Sequence, residues 1–219
     1  MAARFSDQGP QVSRGADLEV LVGIFEHLSM IPFLLIAMGI IRILEGVGAI
    51  IHRQQTSGED MALHWSHGVL SVTVLLTMII FWWNSFNFNQ DGLYHKPTWN
   101  ISEYALYILP CLILFLLADL LVPNNLKQGG KLCLKSYYFR QHREFFLLTT
   151  VYALLNYVNS HLFFGQRLDS PYSLCLLSIA AVTLPMVIWK SPRLHAILNV
   201  VFLAITVFSA TFYWDLGGV

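Results

Sequence analysis

The amino-acid sequence predicts an all-α polytopic membrane protein, a six-transmembrane-helix bundle in a single membrane domain over residues 1–219. Composition carries much of this prediction, because 56% of the 219 residues are hydrophobic and only 12% are charged. Soluble domains carry about a quarter charged residues. In addition, several apolar runs reach about 20 residues, the length that crosses the ~30 Å hydrocarbon core of a bilayer.

The apolar runs define the predicted spans. The first run is too long for one perpendicular crossing, since about 32 residues at 1.5 Å per residue extend roughly 48 Å. It therefore either projects from the membrane as one helix or breaks at Pro32, because proline disrupts a helix interior. Each of the other five runs fits one crossing. The predicted spans cover residues 20–51, 62–85, 103–122, 144–165, 172–189 and 194–214.

Lysine and arginine predict the orientation of the spans. With six spans, the loops after the first, third and fifth lie on one side, which carries most of the basic residues. The positive-inside rule places that side in the cytoplasm and both termini outside it. The longest basic loop, residues 124–143, anchors this orientation and is also a candidate contact for anionic lipid. The formal net charge is zero, and no nucleic-acid partner is expected.

Ionisable side chains inside apolar runs are candidate functional groups, because each costs several kcal/mol in lipid unless it is paired. The stretch GIIRILEGVGAII holds Arg42 and Glu45, which lie three residues apart and can pair along one helix face. Histidines of the second span and an aspartate of the third belong to the same inner half. The predicted polar cluster is Arg42, Glu45, His64, His67 and Asp119. A purely structural explanation also fits, in which Arg42 extends to the interface, Glu45 neutralises it and the histidines line the interface.

A second set of polar side chains suggests a path between helices. They follow one side of the fourth and sixth spans, with a further histidine on the first. Such stripes face protein or water rather than lipid, and interhelical hydrogen bonding explains them as well as a solute path does. The predicted path comprises His27, Thr149, Tyr152, Asn156, Asn159, Ser160, His161 and Asn199.

Metal and haem sites find little support in the sequence. His64 and His67 are three residues apart and can share a metal ion on one helix face, but HExxH is absent. Haem ligation needs histidines that face each other from different helices. His142 meets this condition only if the start of the fourth span is buried. Three widely separated cysteines argue against disulfide exchange and structural zinc. We expect no cofactor, no catalytic residue and no enzymatic activity.

Five short segments resemble a known pattern. They are Arg42-Ile-Leu-Glu-Gly46, His64-Trp-Ser-His67, Phe81-Trp-Trp83, Ala118-Asp-Leu-Leu-Val-Pro123 and Tyr138-Phe-Arg140. In this order they are similar to segments of a family of small multi-pass bacterial inner-membrane proteins with no known activity. The resemblance covers the first four spans. It implies a bacterial inner-membrane setting and implies nothing about activity.

Three functions remain open from the sequence. The first is movement of a small solute or ion through a polar path, linked to protons because histidine titrates near neutral pH. The second is a non-catalytic subunit or scaffold, as a homo-oligomer or within a larger membrane complex. The third is a membrane redox protein that holds haem or a metal ion.

Overall fold

Six helices make up the part of the chain that the structure describes. The structure is a computed structural model that describes residues 13–57, 64–90, 100–123, 133–163 and 166–215, with side chains except those of 13–28, 53, 55–57, 85–90 and 212–215. The all-α fold class is thereby confirmed. In chain order the helices are α1 (Ser13–Ser57), α2 (Trp65–Gln90), α3 (Ile101–Leu121), α4 (Leu134–Leu162), α5 (Pro171–Ile188) and α6 (Pro192–Asp215).

Five of these helices contain segments long and apolar enough to cross a membrane. The segments correspond to the predicted first, second, third, fifth and sixth spans. They support a multi-pass membrane protein, and α4, the predicted fourth span, is not among them. The five segments are Ser29–His52, Trp65–Asn84, Ile101–Leu121, Pro171–Ile188 and Pro192–Thr211.

Helix α1 runs without a break through Pro32. Of the two alternatives left by the sequence, the structure therefore shows the single long helix. Its 45 residues extend about 68 Å at 1.5 Å per residue, more than twice the ~30 Å hydrocarbon core. Only Ser29–His52 is a candidate span, so α1 is helical well beyond its apolar segment.

Local sequence explains where two of the helices begin. Asn100 caps α3, with its side-chain oxygen accepting from the backbone N–H of Glu103 at 2.9 Å and its own N–H donating to the Glu103 carboxylate at 3.2 Å. This reciprocal capping box satisfies two N–H groups that a helix start leaves unpaired. Ser170 caps α5 in the same manner through the N–H of Ser173, and Pro171 follows at the first helical position, where its missing N–H costs nothing.

The helices close into a ring whose order differs from the chain order. Around the ring, neighbours in contact are α1, α3, α4, α5, α6 and α2, and α2 closes the ring against α1. Helix α2 also contacts α3 and α4 across the bundle. This arrangement brings the start of α4 close to α2, α3 and α6, which is where the candidate site lies.

Gly46 allows α1 and α3 to approach closely. A methyl group at this position would lie 2.5 Å from Cγ2 of Val122, at the end of α3. Gly48, half a turn away on α1, has open space at the corresponding position. The two glycines therefore differ in purpose, and only Gly46 is required by packing within the chain.

Replacing Gly46 with alanine is expected to destabilise the fold by about 1 kcal/mol, because an overpacked contact must shift the branched Val122 side chain. The matched change Gly48→Ala is expected to leave the fold at least as stable, since nothing lies within 4 Å of the added methyl group and alanine is the better helix former. Thermal unfolding of both variants in detergent micelles measures the difference. Equal destabilisation by the two substitutions would contradict the close contact between α1 and α3.

Candidate functional site: an inner polar network

An ion pair joins α1 to α3 near the C-terminal end of α3. Nε of Arg42 donates to Oδ1 of Asp119 at 2.9 Å. Both residues belong to apolar candidate spans, where a charge without a partner is costly. The sequence offers Glu45 as the carboxylate for Arg42, whereas the structure places Asp119 there and leaves Glu45 exposed. Pairing between helices ties two elements together, which pairing within α1 would not do.

Tyr137 connects this ion pair to the start of α4. Its hydroxyl donates to the carbonyl oxygen of Leu120, one residue after Asp119, at 2.9 Å. Its ring also meets the ring of His67 edge-on, with centroids 6.2 Å apart. The ion pair, α2 and α4 therefore meet around one tyrosine.

A chain of hydrogen bonds links α4 to α6 through Tyr138. His195 Nε2 lies 2.7 Å from the carbonyl oxygen of Trp189, so Nε2 carries the proton and Nδ1 is an acceptor. The Tyr138 hydroxyl donates to this Nδ1 at 2.8 Å and accepts from Nδ2 of Asn199 at 3.0 Å. Tyr138, His195 and Asn199 are all at least 95% buried. Their bonds fix the neutral tautomer of His195.

His142 offers a buried basic nitrogen beside this chain. Its Nδ1 lies 2.8 Å from the carbonyl oxygen of Phe139 and therefore donates. Nε2 is then an acceptor, and it is buried without a hydrogen-bond partner among the described residues. The His142 ring stands 5.6 Å from that of His195, centroid to centroid. We call Tyr138, His142, His195 and Asn199 the inner network.

A small cavity lies against the inner network, between α2, α3 and α4. The volume open to the centres of water molecules is about 20 Å³, which suits a single water. Two of its lining residues carry buried polar atoms that lack a partner in the described part of the chain, Nε2 of His142 and Oε1 of Gln141. We call this space the inner cavity. It is lined by His67, Leu70, Leu120, Leu121, Tyr137, Tyr138, Gln141, His142, Phe145 and Phe146.

The two histidines predicted on α2 lie beside the start of α4. The ring of His64 meets that of Tyr138 edge-on at 5.3 Å, and His67 lines the inner cavity. Together with the Arg42–Asp119 pair, four of the five residues of the predicted polar cluster thus lie on or next to α1, α2 and α3, beside the start of α4. Their functional role stays a prediction, as does that of the exposed Glu45.

The predicted polar path is largely buried, but many of its hydrogen bonds stay within α4. Thr149, Asn156 and Ser160 each donate to a backbone carbonyl three or four residues earlier on their own helix. Asn159 crosses to α3 and donates to the carbonyl of Leu106 at 3.0 Å. Tyr152 is also buried. A path for a solute along these residues stays a prediction.

The three remaining residues of the predicted path differ in burial and in how far the structure describes them. His161 is exposed and contacts the carbonyl of Gln166 through Nδ1 at 3.0 Å. Asn199 is fully buried and belongs to the inner network. The side chain of His27 lies outside the described residues.

The described residues contain no group of three or more His, Cys, Asp or Glu side chains placed to hold a metal ion. His64 and His67 stay weak candidates for a metal on the sequence pattern alone. The sequence allows His142 to ligate haem only if the start of the fourth span is buried. In the structure, His142 is 2% exposed. The space that His142 lines holds one water, however, and haem is far larger than that.

One prediction is corrected at the start of α4. The sequence places residues 124–143 in a basic loop, whereas helix α4 already begins at Leu134. Lys135, Arg140 and Arg143 are exposed on this helix, and residues 124–132 lie outside the described part. The residues Tyr137 and Gln141 were missed for this reason, and His142 was considered only as a haem ligand. A helical signal was present, because Leu134, Tyr137, Tyr138, Gln141, His142, Phe145 and Phe146 recur at intervals of three and four residues.

Acid is expected to weaken the fold through His142. Burial lowers the pKa of its imidazole, with Lys190 and Arg143 acting in the same direction and the Phe139 bond and Glu144 opposing them. Between the lowered folded value and ~6.5, the unfolded chain binds more protons. Stability is therefore full above pH ~6.5 and falls as the pH drops below it. Thermal unfolding between pH 8 and 5 should show this loss, and His142→Gln should reduce it. The exposed histidine provides the control, since His161→Gln should leave the pH dependence unchanged.

Comparison with known proteins adds no relative. The sequence matches no family model and no curated protein, and the fold matches no solved structure. The residues of the inner network and the inner cavity are therefore the basis for a function.

Proposed function

We propose that this chain is a bacterial inner-membrane protein that moves a small solute or ion in linkage with protons, and that the inner cavity is where it handles the proton. The observation that carries the proposal is the buried, unpartnered Nε2 of His142, a residue that lines a space of about 20 Å³. A neutral imidazole nitrogen beside a water can take up a proton, and the burial that lowers the pKa of His142 shifts this uptake to more acidic pH. The cavity is too small for a solute larger than water, which favours the proton as the species at this position.

The inner network supplies a neighbour for a proton held on His142. His195 lies next to it, with Nδ1 accepting from Tyr138. A positive charge on His142 would disfavour a second one on His195, and both ring nitrogens of His195 are already engaged, so His142 is the ring that takes up the proton. Rearrangement of the Tyr138 and Asn199 bonds would then couple protonation to the relative position of α4 and α6.

The proposed topology counts α4 as a span, the fourth in chain order, which brings the number of spans to six. Between Leu147 and Val158, helix α4 exposes only apolar side chains and buries its polar ones, the reverse of a helix that faces water. Six crossings and the distribution of basic residues then put both termini outside the cytoplasm. Exposed Lys135, Arg140 and Arg143 would meet anionic lipid on the inner side. The apolar stripe consists of Leu147, Val151, Leu154 and Val158.

Flux measurements in vesicles test the proposal. The purified protein is reconstituted in vesicles that contain the pH dye pyranine, and gradients of Na⁺, K⁺ or mixed amino acids are imposed in turn. We expect one gradient to drive a protein-dependent change of internal pH that is lost in His142→Gln and kept in His161→Gln. Wild-type traces identical to those of empty vesicles under all gradients would contradict proton-linked transport.

A second candidate function is a structural subunit of a membrane complex. It is favoured by interhelical bonds that tie the bundle together without involving the cavity, such as Thr150 to Thr183 at 2.8 Å between α4 and α5. The bond from Asn159 to the Leu106 carbonyl has the same character. Absence of flux together with a stable wild-type fold would favour this function over transport.

A further inference from the structure

A groove separates the C-terminal part of α1 from the first turns of α2. The volume open to the centres of water molecules is about 290 Å³, close to the lower end of the ~300–1,000 Å³ found for sites that bind small molecules. Its lining is apolar except at His64, His67 and Ser71. The hydroxyl of Ser71 is already engaged, since it donates to the carbonyl oxygen of His67 at 3.0 Å. The groove, which we call the lateral groove, therefore suits a hydrocarbon.

The lateral groove runs from the membrane surface into one leaflet. On α1 its lining extends from Ile51 back to Ile43, eight residues or about 12 Å along the helix, and the candidate span of α1 ends at His52. On α2 the lining begins at His64, directly before the candidate span that starts at Trp65. This end of the groove, which we call the mouth, therefore lies at the membrane surface. The other end lies about 12 Å deep, within the ~15 Å that one leaflet contributes to the hydrocarbon core.

The lateral groove is open to lipid but too narrow for another helix. Val47 and Val72, which line it from α1 and α2, are 40% and 48% exposed. Spread over about 12 Å, the volume of the groove corresponds to a channel about 8 Å wide when the ~1.4 Å radius of water is added. An α-helix with its side chains is about 10–12 Å across. A single hydrocarbon chain fits these dimensions, and a helix from a partner does not.

The mouth of the lateral groove carries groups that suit a negatively charged headgroup. The ring of His64 lies there, with its centroid 5.3 Å from that of Tyr138 and 6.1 Å from that of Phe139. Lys135 is exposed, and it precedes these two residues of α4 by three and four positions, which places it on the same helix face. Trp65 lines the mouth and is 53% exposed, and tryptophan is enriched at the level of lipid headgroups. The positive charge of Lys135 thus lies at the depth where lipid phosphates are found.

We propose that the lateral groove binds one acyl chain of an anionic phospholipid, whose phosphate lies at the mouth beside Lys135 and His64. The length and width of the groove select a single chain, and the positive charge at its mouth selects a negative headgroup. The surrounding bilayer supplies such a lipid, and its second chain remains in the membrane on the open side of the groove. The site rests on the proposed contact of Lys135 with anionic lipid, and it does not require proton-linked transport.

Retained lipid tests the groove. The protein is reconstituted in equal amounts of phosphatidylglycerol and phosphatidylcholine and extracted in detergent, and native mass spectrometry counts the lipids bound to each chain. The wild type should retain one phosphatidylglycerol. Gly68 lines the groove, and a Cβ there would meet nothing within 4 Å, so Gly68→Phe should fold, occupy the groove and lower retention about tenfold. Gly48 has equally open space but does not line the groove, so Gly48→Phe should retain the lipid. Equal retention by the two variants would overturn the proposal.

The same measurement tests the headgroup. Lys135→Gln should lower the preference for phosphatidylglycerol over phosphatidylcholine about fivefold, the effect of one basic residue near the membrane surface. Arg193→Gln removes an exposed charge at the start of α6, outside the groove, and should leave the preference unchanged. A wild type that retains no lipid, retains both lipids equally or retains a fatty acid instead would overturn the proposal. Lost preference in Lys135→Gln with full retention in Gly68→Phe would also overturn it, and would leave only the proposed surface contact with anionic lipid.

Discussion

Replacing Asp119 with alanine is expected to lower the free energy of unfolding by about 1–2 kcal/mol, because Arg42 loses the carboxylate that lies 2.9 Å from its Nε in a pair whose side chains are 32% and 49% exposed. Arg42, which keeps its charge, lies in an apolar candidate span. Removing both members should cost less than removing one, since two leucines leave no charge to desolvate. Unfolding in mixed micelles measures Asp119→Ala, Arg42→Leu and the Arg42→Leu/Asp119→Leu pair.

A second ion pair in the chain provides the control. Arg167 and Asp169 are also 2.9 Å apart, but their side chains are 83% and 69% exposed on the segment before α5. Exposed pairs contribute about 0–1 kcal/mol, so Asp169→Ala should have little effect. If Asp119→Ala costs no more than Asp169→Ala, the Arg42–Asp119 pair does not hold α1 against α3.

Replacing Tyr138 with phenylalanine is expected to destabilise the fold by about 2 kcal/mol, with roughly 1 kcal/mol for each buried hydrogen bond lost. The hydroxyl is the donor to His195 Nδ1 and the acceptor for Asn199 Nδ2, and both residues are at least 99% buried. The substitution leaves the volume of the ring unchanged, so the loss reports on the bonds alone. Thermal and chemical unfolding give the magnitude.

The adjacent tyrosine offers a matched comparison. Tyr137→Phe removes the hydroxyl that donates to the Leu120 carbonyl. Because this is one bond rather than two, the loss of stability should be smaller than for Tyr138→Phe. A third variant, His195→Gln, should resemble Tyr138→Phe, because both interrupt the link between α4 and α6. Equal, small effects of all three variants would show that the inner network does not stabilise the bundle.

Hydropathy predicted most of the architecture because lipid-facing helices must be apolar over about 20 residues. Helix α3, predicted at 103–122 and found at Ile101–Leu121, shows how well this works for a helix with a strongly apolar sequence. Helix α4 shows where it fails. Its polar face meets other helices, and its first ten residues are polar enough to be taken for a loop, so hydropathy alone placed its start too late.

The candidate site was predicted in part for a related reason. Arg42 and Asp119 stand out as charges in apolar runs, because the free-energy cost of an unpaired charge in lipid marks both as candidates. Which carboxylate pairs with Arg42 depends on how α1 packs on α3, and local spacing favours Glu45 over the distant Asp119. His142 lies just before the predicted fourth span and His195 at the start of the predicted sixth, where histidine is unremarkable. Only the ring order of the helices brings them to 5.6 Å.

The most direct test of the proton site is a crystal structure in a lipid phase at a resolution that reveals ordered water. We expect a water in the inner cavity, within hydrogen-bonding distance of His142 Nε2 and Gln141 Oε1, with His67 lining the same space. A cavity closed by packed side chains, with His142 Nε2 bonded to protein, would contradict a proton site there.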